Sequence, residues 1–417
     1  MAVRVVDLGA PLKDLCLIRS DSKPPYRSLL AVARLDDQAL GVATLSVNEN
    51  GWVSRERLTS AMSRFGPGMG RRRHFGGAQT AQATRLVSVV VATCGNAHTL
   101  EPCVRSILRS EYDGPLEVIV VDNRPGGSAN RRALATRFGG ERRVRCVEEP
   151  RPGASRARNA GLAGARGAFV AFVDDDVVVD PAWMRLSACA LTRSEHVACC
   201  TGLILPFELE TVSQLRLEQF AAFGKGFRPK TYRLPEARED DPLLPYTVGS
   251  IGSGANVWLR TDVARRLGGF DTVLGPGTPT TGAEDLDLLL RVLRAGYAVT
   301  YEPSAIVWHR HPDDMSRLRR QAFRYGVGLG AMLAKHALSG PERRDLLRAV
   351  PAGVRYLREP SSRKNAARPL DFPRELIWRE RAGMFAGPPA YVLSVLSTST
   401  ERCVAGQRRW TRLVRAS

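Results

Sequence analysis

The chain has 417 residues, 44% hydrophobic and 25% charged, ordinary values for a folded protein and enough for one large domain with smaller additions. Its 61 Lys and Arg against 42 Asp and Glu give a net charge of +19, which favours nucleotides, phosphorylated lipids, acidic membranes or nucleic acid as partners. An aromatic content of 7% and dispersed charge argue against a base-stacking platform, so no specific nucleic acid is expected.

Eight cysteines (Cys16, Cys94, Cys103, Cys146, Cys189, Cys199, Cys200 and Cys403) form no CxxC pair and no Cys/His zinc spacing. With no N-terminal signal peptide they point to a reducing cytoplasm.

Residues 1–65 read as a small separate β-rich unit, with strand-like runs at Tyr26–Leu35 and Ala39–Val47 turned at Asp36-Asp37. Residues 66–84 are a Gly/Arg-rich linker whose Arg71–Arg73 cluster is expected to be solvated. From Arg85 the pattern changes. Val87–Ala92, Leu116–Val121, Val144–Val147 and Ala168–Val173 read as buried strands. Helical stretches at Thr99–Ser110 and Ser155–Ala165 alternate with them. This alternation predicts an α/β, doubly wound, mostly parallel sheet over residues 85–335, with ligands beyond the carboxyl ends of its strands. Residues 336–417 read as a helical extension.

Strand 168–173 runs into Asp174-Asp175-Asp176 and then the apolar Val177–Val179. Three carboxylates crowded at a strand end repel one another unless a cation neutralises them, and oxygen ligands suit Mg²⁺ or Mn²⁺ with substrate phosphates attached. An acidic surface turn is the plainer alternative. Glu284, Asp285 and Asp287 open a second acidic stretch at a helix start. They are either dipole-stabilised first-turn acids or, beside a metal site, a source of a general base. Arg151–Gly161 (RPGASRARNAG) combines small residues with Arg156 and Arg158 but lacks the ending of a Walker loop. His309 and His311 straddle Arg310 after a strand-like run, which makes one imidazole a candidate metal ligand.

In order and spacing, VSVVVATCGN, EVIVVDN, RPGASRARNAG, FVDDDVVVDPAW, GSGANVWLR, GGFDTVLGPG, GAEDLDLLLR and VWHRH resemble glycosyltransferase family 2, enzymes of the GT-A fold. The resemblance spans roughly Arg85 to Lys335. It implies an inverting transfer of a sugar from a UDP-, GDP- or dTDP-sugar, by single displacement with an Asp base. Thr93, Asp122, Arg158, Asp174 and Asp175 would hold the donor. Asp174, Asp176 and His309 would hold the metal. Gly254, Asn256 and Glu284 would face the acceptor, and Asp285 would be the catalytic base. The chain departs from the family pattern at Thr93-Cys94-Gly95-Asn96, where Thr-Tyr-Asn-Arg is usual, and at Asp122-Asn123-Arg124-Pro125, where Asp-Asp-Gly-Ser is usual. Glycan, lipid, peptide and natural product stay open as acceptors.

A nucleotidyltransferase would need a basic Gly-rich loop after the first strand, and Thr93–Thr99 has one Gly and no Lys or Arg. A non-catalytic basic protein binding membrane or nucleic acid is the remaining alternative. Two segments bear on peripheral contact with the inner face of a membrane. Met315–Leu338 mixes Arg with apolar residues as interfacial helices do, although packing on the catalytic domain explains it as well. Gly383–Ser397 is apolar but too short to span a bilayer.

Overall fold

The computed structural model describes residues 1–19, 24–65, 84–95, 97–124, 132, 136–221, 223–338, 340–366 and 368–414. Nearly all of the expected linker, with Arg71–Arg73, lies outside the described residues, as do Asn96 and Pro125.

The N-terminal unit comprises β1 (Ala2–Asp7), β2 (Leu15–Cys16), β3 (Ser28–Leu35), β4 (Gln38–Ser46), β5 (Trp52–Val53) and α1 (Arg55–Met62). The expected hairpin is β3–β4. Asp36 and Asp37 turn it at φ 46° and 62°, the left-handed backbone that tight two-residue turns require and that Asp tolerates. Strand alternation decides the packing. Leu29, Ala31 and Ala33 point toward α1 in a private core, whereas Val32 points the other way, onto Leu203, Leu205 and Ile306 of the central sheet. The unit has its own core yet is not detached: Arg34 also pairs with Asp180 at 3.2 Å, and the terminal ammonium of Met1 donates to the Leu209 carbonyl at 2.7 Å.

The central region continues with β6 (Val87–Thr93), α2 (Ala97–Leu108), β7 (Leu116–Asp122), β8 (Val144–Glu148), α3 (Ala154–Gly164), β9 (Phe169–Asp174), β10 (Val177–Val179), α4 (Trp183–Leu191), β11 (Val197–Pro206), α5 (Val212–Ala221), β12 (Lys230–Tyr232), α6 (Ala237–Asp240), β13 (Val257–Arg260), α7 (Thr261–Arg266), α8 (Glu284–Arg294) and β14 (Ala298–His309). These strands form a 9-stranded sheet in the order β10-β14-β11-β13-β9-β6-β7-β8, with β12 added beside β14. β9, β6, β7 and β8 are mutually parallel, and β11 and β14 are parallel to each other. β13, β10 and β12 run against their neighbours, so the sheet is mixed but mostly parallel, as expected. Separate apolar clusters cover its two faces, one including α2 and α4 and the other α3, α7 and α8, which is why the parallel strands are apolar on both sides.

Three helices follow: α9 (Met315–Leu338), α10 (Gly340–Arg358) and α11 (Arg374–Val414). The expected boundary at residue 335 falls inside α9. Leu318, Ala322, Val327, Ala331 and Met332 of α9 are buried, so Met315–Leu338 is a packed helix and not an interfacial one. Its seam with α11 is built from small residues. A Cβ on Gly326 would come within 1.9 Å of the Glu380 carbonyl oxygen, and one on Gly387 within 2.5 Å of the Gly330 carbonyl carbon. No helix among the described residues is long and apolar enough to cross a membrane.

Candidate active site

The sheet brings the acidic triplet and the histidines together by register. β9 delivers Asp174. The apolar Val177–Val179 then folds back as β10, antiparallel to β14, with Val177 opposite His309. Asp176 is thereby set beside His309, Oδ1 lying 3.5 Å from Nε2. Asp174, Asp176 and His309 each offer a ligand atom within 4.8 Å of the others.

Behind His309 the contacts continue inward. His309 Nδ1 lies 3.1 Å from His311 Nδ1, and His311 Nε2 lies 2.9 Å from Glu218 Oε2 on α5, with Phe223 against both rings. Neutral rings have one consistent assignment. His311 donates from Nε2 to Glu218 and accepts at Nδ1 from His309, which leaves the Nε2 lone pair of His309 aimed at Asp176. Asp176 Oδ1 is buried and has no hydrogen-bond partner among the described residues. Two electron-pair donors facing each other across 3.5 Å fit a shared cation, and a ligating histidine oriented by a hydrogen bond from its other nitrogen, here to His311, suits a metal site. His311 sits behind His309, and Glu218, which sequence reading missed, anchors the pair.

The other carboxylates are held as firmly. Burial pushes Asp175 up to about 6, against a 2.5 Å hydrogen bond donated by Thr93 and with Asp176 and Asp174 adding to the rise. Burial also raises Asp176, with His309 opposing. A cation would relieve both. On α3, Arg158 is fully enclosed: Nη2 donates to Asp174 Oδ1 at 2.8 Å and Nη1 to Glu284 Oε1 at 2.5 Å. One guanidinium thus ties the triplet to the start of α8. Both ends of Arg158 already meet protein carboxylates, so its geometry is that of a brace and not of a free diphosphate ligand.

Asp285, the next residue of α8, has its own scaffold. Its Oδ2 accepts from the Gly254 amide at 2.6 Å and its Oδ1 from the Leu286 amide at 2.8 Å. A Cβ on Gly254 would meet Asp285 Cβ at 2.9 Å, so only glycine permits this approach. α8 is entered through Thr281 at φ 58° and Ala283 at φ 68°, left-handed conformations that side chains resist. Tyr325 of α9 is enclosed nearby. Burial raises its hydroxyl, and the charges of Asp285, Asp174 and Asp176 add to the rise, so one side chain senses the base candidate and the triplet together.

Thr93, Arg158, Asp174, Asp175, Asp176, Gly254, Glu284, Asp285 and His309 all line one cleft of about 2550 Å³. Two expected residues do not. Asn256 is completely buried, accepting from Trp183 Nε1 at 2.9 Å and donating to the Ala305 and Leu203 carbonyls, so its amide holds β13 to its neighbours. Asp122 is 2% exposed and its Oδ1 accepts from the Arg124 amide at 3.3 Å. The departures at Asn123 and Arg124 have structural work: Asn123 staples the Arg151–Gly153 turn through the Arg151 carbonyl and Gly153 amide, and Arg124 clamps the Cys94 and Gly95 carbonyls.

Residues 88–266 match the family model described as glycosyl transferase family 2. The chain is 31% identical over 255 residues to the pre-mycofactocin glycosyltransferase of Mycobacterium tuberculosis, covering 60% of this chain and 48% of that one. It is 25% identical over 248 residues to an N-acetylglucosaminyltransferase of Azorhizobium caulinodans, covering 58% and 59%. It thus spans about half the length of these curated relatives. Among solved structures it is similar to the mannosyltransferase PcManGT from Pyrobaculum calidifontis in complex with GDP-Man and Mn²⁺, at 22% identity and a TM-score of 0.47, over 79% of this chain and 84% of that one.

Proposed function

We propose, from the premise that residues 88–266 belong to glycosyl transferase family 2, that this chain moves a glycosyl group from a nucleotide-sugar to an acceptor nucleophile with inversion, Asp285 serving as base. The observation that carries the reading is the double contact of Arg158, which joins Asp174 of the triplet to Glu284, the neighbour of Asp285, within one cleft. A displacement of this kind needs a leaving group held on one side of the sugar and a proton acceptor on the other.

Asp174, Asp176 and His309 would hold Mg²⁺ or Mn²⁺, and the ion, when bound, would offset the charge of the departing diphosphate. Thr93 fixes Asp175 toward the donor side of the cleft. Arg158 keeps the triplet and α8 at a fixed separation and offsets part of their mutual repulsion. Asp285, its two backbone hydrogen bonds fixing the carboxylate, takes the proton of the acceptor as the bond to the anomeric carbon forms. Glu284 and Gly254 border the acceptor side. The relatives' names support a sugar transfer, while sugar, nucleotide and acceptor follow from none of these contacts. The catalytic unit in this reading is 85–335, flanked by 1–65 and 336–417. The described cysteines are all free thiols, which supports a cytoplasmic setting.

The test is incubation of the full chain and Mn²⁺ with UDP-, GDP- and dTDP-sugars while nucleoside diphosphate release is followed. Release from one donor, lost in Asp285→Asn, is the expected result. No release from any donor, or equal release from the variant, contradicts the reading.

A further inference from the structure

α11 is inverted relative to an ordinary surface helix. Beyond Leu376, which is buried against α5 and α9, its inward side is small or polar: Gly383 and Gly387 meet α9, and Ser394 donates to the Val273 carbonyl at 2.6 Å. Its outward side carries Trp378, Phe385, Val392, Leu393 and Leu396, between 51% and 85% exposed. Their spacing sets them on one face along about 27 Å of helix. Between 378 and 397, Arg379 is the one charged residue on that exposed side. A water-facing helix side is normally polar, and large contiguous apolar patches mark interaction surfaces.

The neighbouring α10 says what kind of surface this fits. Its exposed residues outside the cleft include Arg343, Arg344, Arg348, Arg355 and Arg358 with Leu347, and no carboxylate. Its acids face inward: Asp345 accepts from Arg238 at 2.6 Å and Glu342 lies 3.6 Å from Arg294. The two helices approach each other where Arg381 donates to the Leu357 carbonyl at 3.3 Å. The exposed acid on this side of α11, Glu375, is paired with Arg379 at 2.8 Å and Arg319 at 3.0 Å. Apolar side chains interspersed with arginines complement an anionic lipid headgroup layer over acyl chains.

We propose that the outward face of α11, with the basic side of α10, seats this protein on an anionic phospholipid surface, α11 lying in the plane of the interface. No described helix is able to cross a bilayer, so the contact is superficial. A second copy is the poorer occupant, since each chain carries +19 and the arginines of α10 would face like charge. The inference stands on the outer faces of the C-terminal helices and does not depend on the catalytic reading.

The test is flotation of the full chain with phosphatidylcholine vesicles, with or without phosphatidylglycerol, at physiological salt. Binding at least about ten-fold tighter to the anionic vesicles is expected. Phe385→Asp with Leu393→Asp should reduce binding at least about ten-fold while circular dichroism and the unfolding midpoint stay unchanged. Arg343→Glu, Arg344→Glu and Arg348→Glu together, a change off α11, should weaken binding to anionic vesicles alone. The proposal is overturned if the parent chain does not float with anionic vesicles or if both variants float as the parent does. Sedimentation equilibrium showing a dimer that the Phe385→Asp/Leu393→Asp variant dissolves would overturn it too, because the face would then be a self-interface.

Discussion

A base that takes a proton late in a displacement must be fixed in direction without being neutralised, and Asp285 in its proposed role would meet this with two backbone amide donors and, among the described residues, no arginine at hydrogen-bond distance. Asp285→Asn keeps the shape and loses the base. Transfer should fall by about 10²–10⁴-fold, with donor affinity in calorimetry within about two-fold of the parent. Loss of donor binding would mean that Asp285 acts on the donor. Glu218 has the complementary role of holding His311, and through it the Nε2 of His309, toward Asp176. Glu218→Ala should lower Mn²⁺ affinity by about 10–100-fold, read by calorimetry, without moving the unfolding midpoint by a comparable amount. That Asp174, Asp176, His309 and Asp285 share one cleft was legible because each ends or begins an element whose apolar pattern is plain. Glu218 was not: it lies 93 residues from His311, and only the folded sheet brings α5 to the end of β14. Asn256 misled for the opposite reason, since a polar residue in a glycine-rich loop reads as exposed until Trp183 and two carbonyls are found around it.

At the scale of elements, α8 is positioned by close backbone approach. Gly254→Ala would press a methyl group against Asp285. A misplacement of about 1 Å is worth about 10²-fold in rate, so kcat should fall by that order while far-UV dichroism stays unchanged. The parallel strands β6, β7 and β9 were readable as β-branched runs covered on both faces. β1 and the attachment of the N-terminal sheet were not, because a strand pairing at long range leaves no local period. α9 was misleading in a different way. Its arginines suggest an interface, yet its apolar side faces α11 through glycines. Gly387→Val should destabilise this seam by about 1–3 kcal/mol, measured by urea unfolding; an unchanged midpoint would mean that the two helices are free to part.

Across the whole molecule, α8 and the C-terminal helices are joined by a buried ion cluster. Asp287 of α8 accepts from Lys335 at 2.6 Å and Arg291 at 2.7 Å, and His336 lies 3.1 Å away. Burial alone would raise the Asp287 carboxyl, but the His336 hydrogen bond and the charges of Arg291 and Lys335 outweigh it and hold the group well below the usual range. Because its folded value lies below its unfolded value of about 4, its stabilisation is complete above that pH and is lost as pH falls further. Asp287→Ala should cost about 3–5 kcal/mol at neutral pH and flatten the acid limb of the stability curve; an unaltered acid limb would assign that limb to other groups.

The central claim is that Asp174, Asp176 and His309 hold a divalent ion beside a nucleotide's diphosphate, across the cleft from Asp285. A crystal grown with Mn²⁺ and the nucleoside diphosphate released in the donor screen tests it most directly, through the anomalous signal of manganese. A peak within about 2.0–2.3 Å of an Asp176 oxygen and of His309 Nε2, with the diphosphate on the ion and Asp285 facing the vacant sugar position, is the expected result. A fully bound nucleotide with its manganese elsewhere, or with His309 Nε2 turned to a protein acceptor, would contradict it.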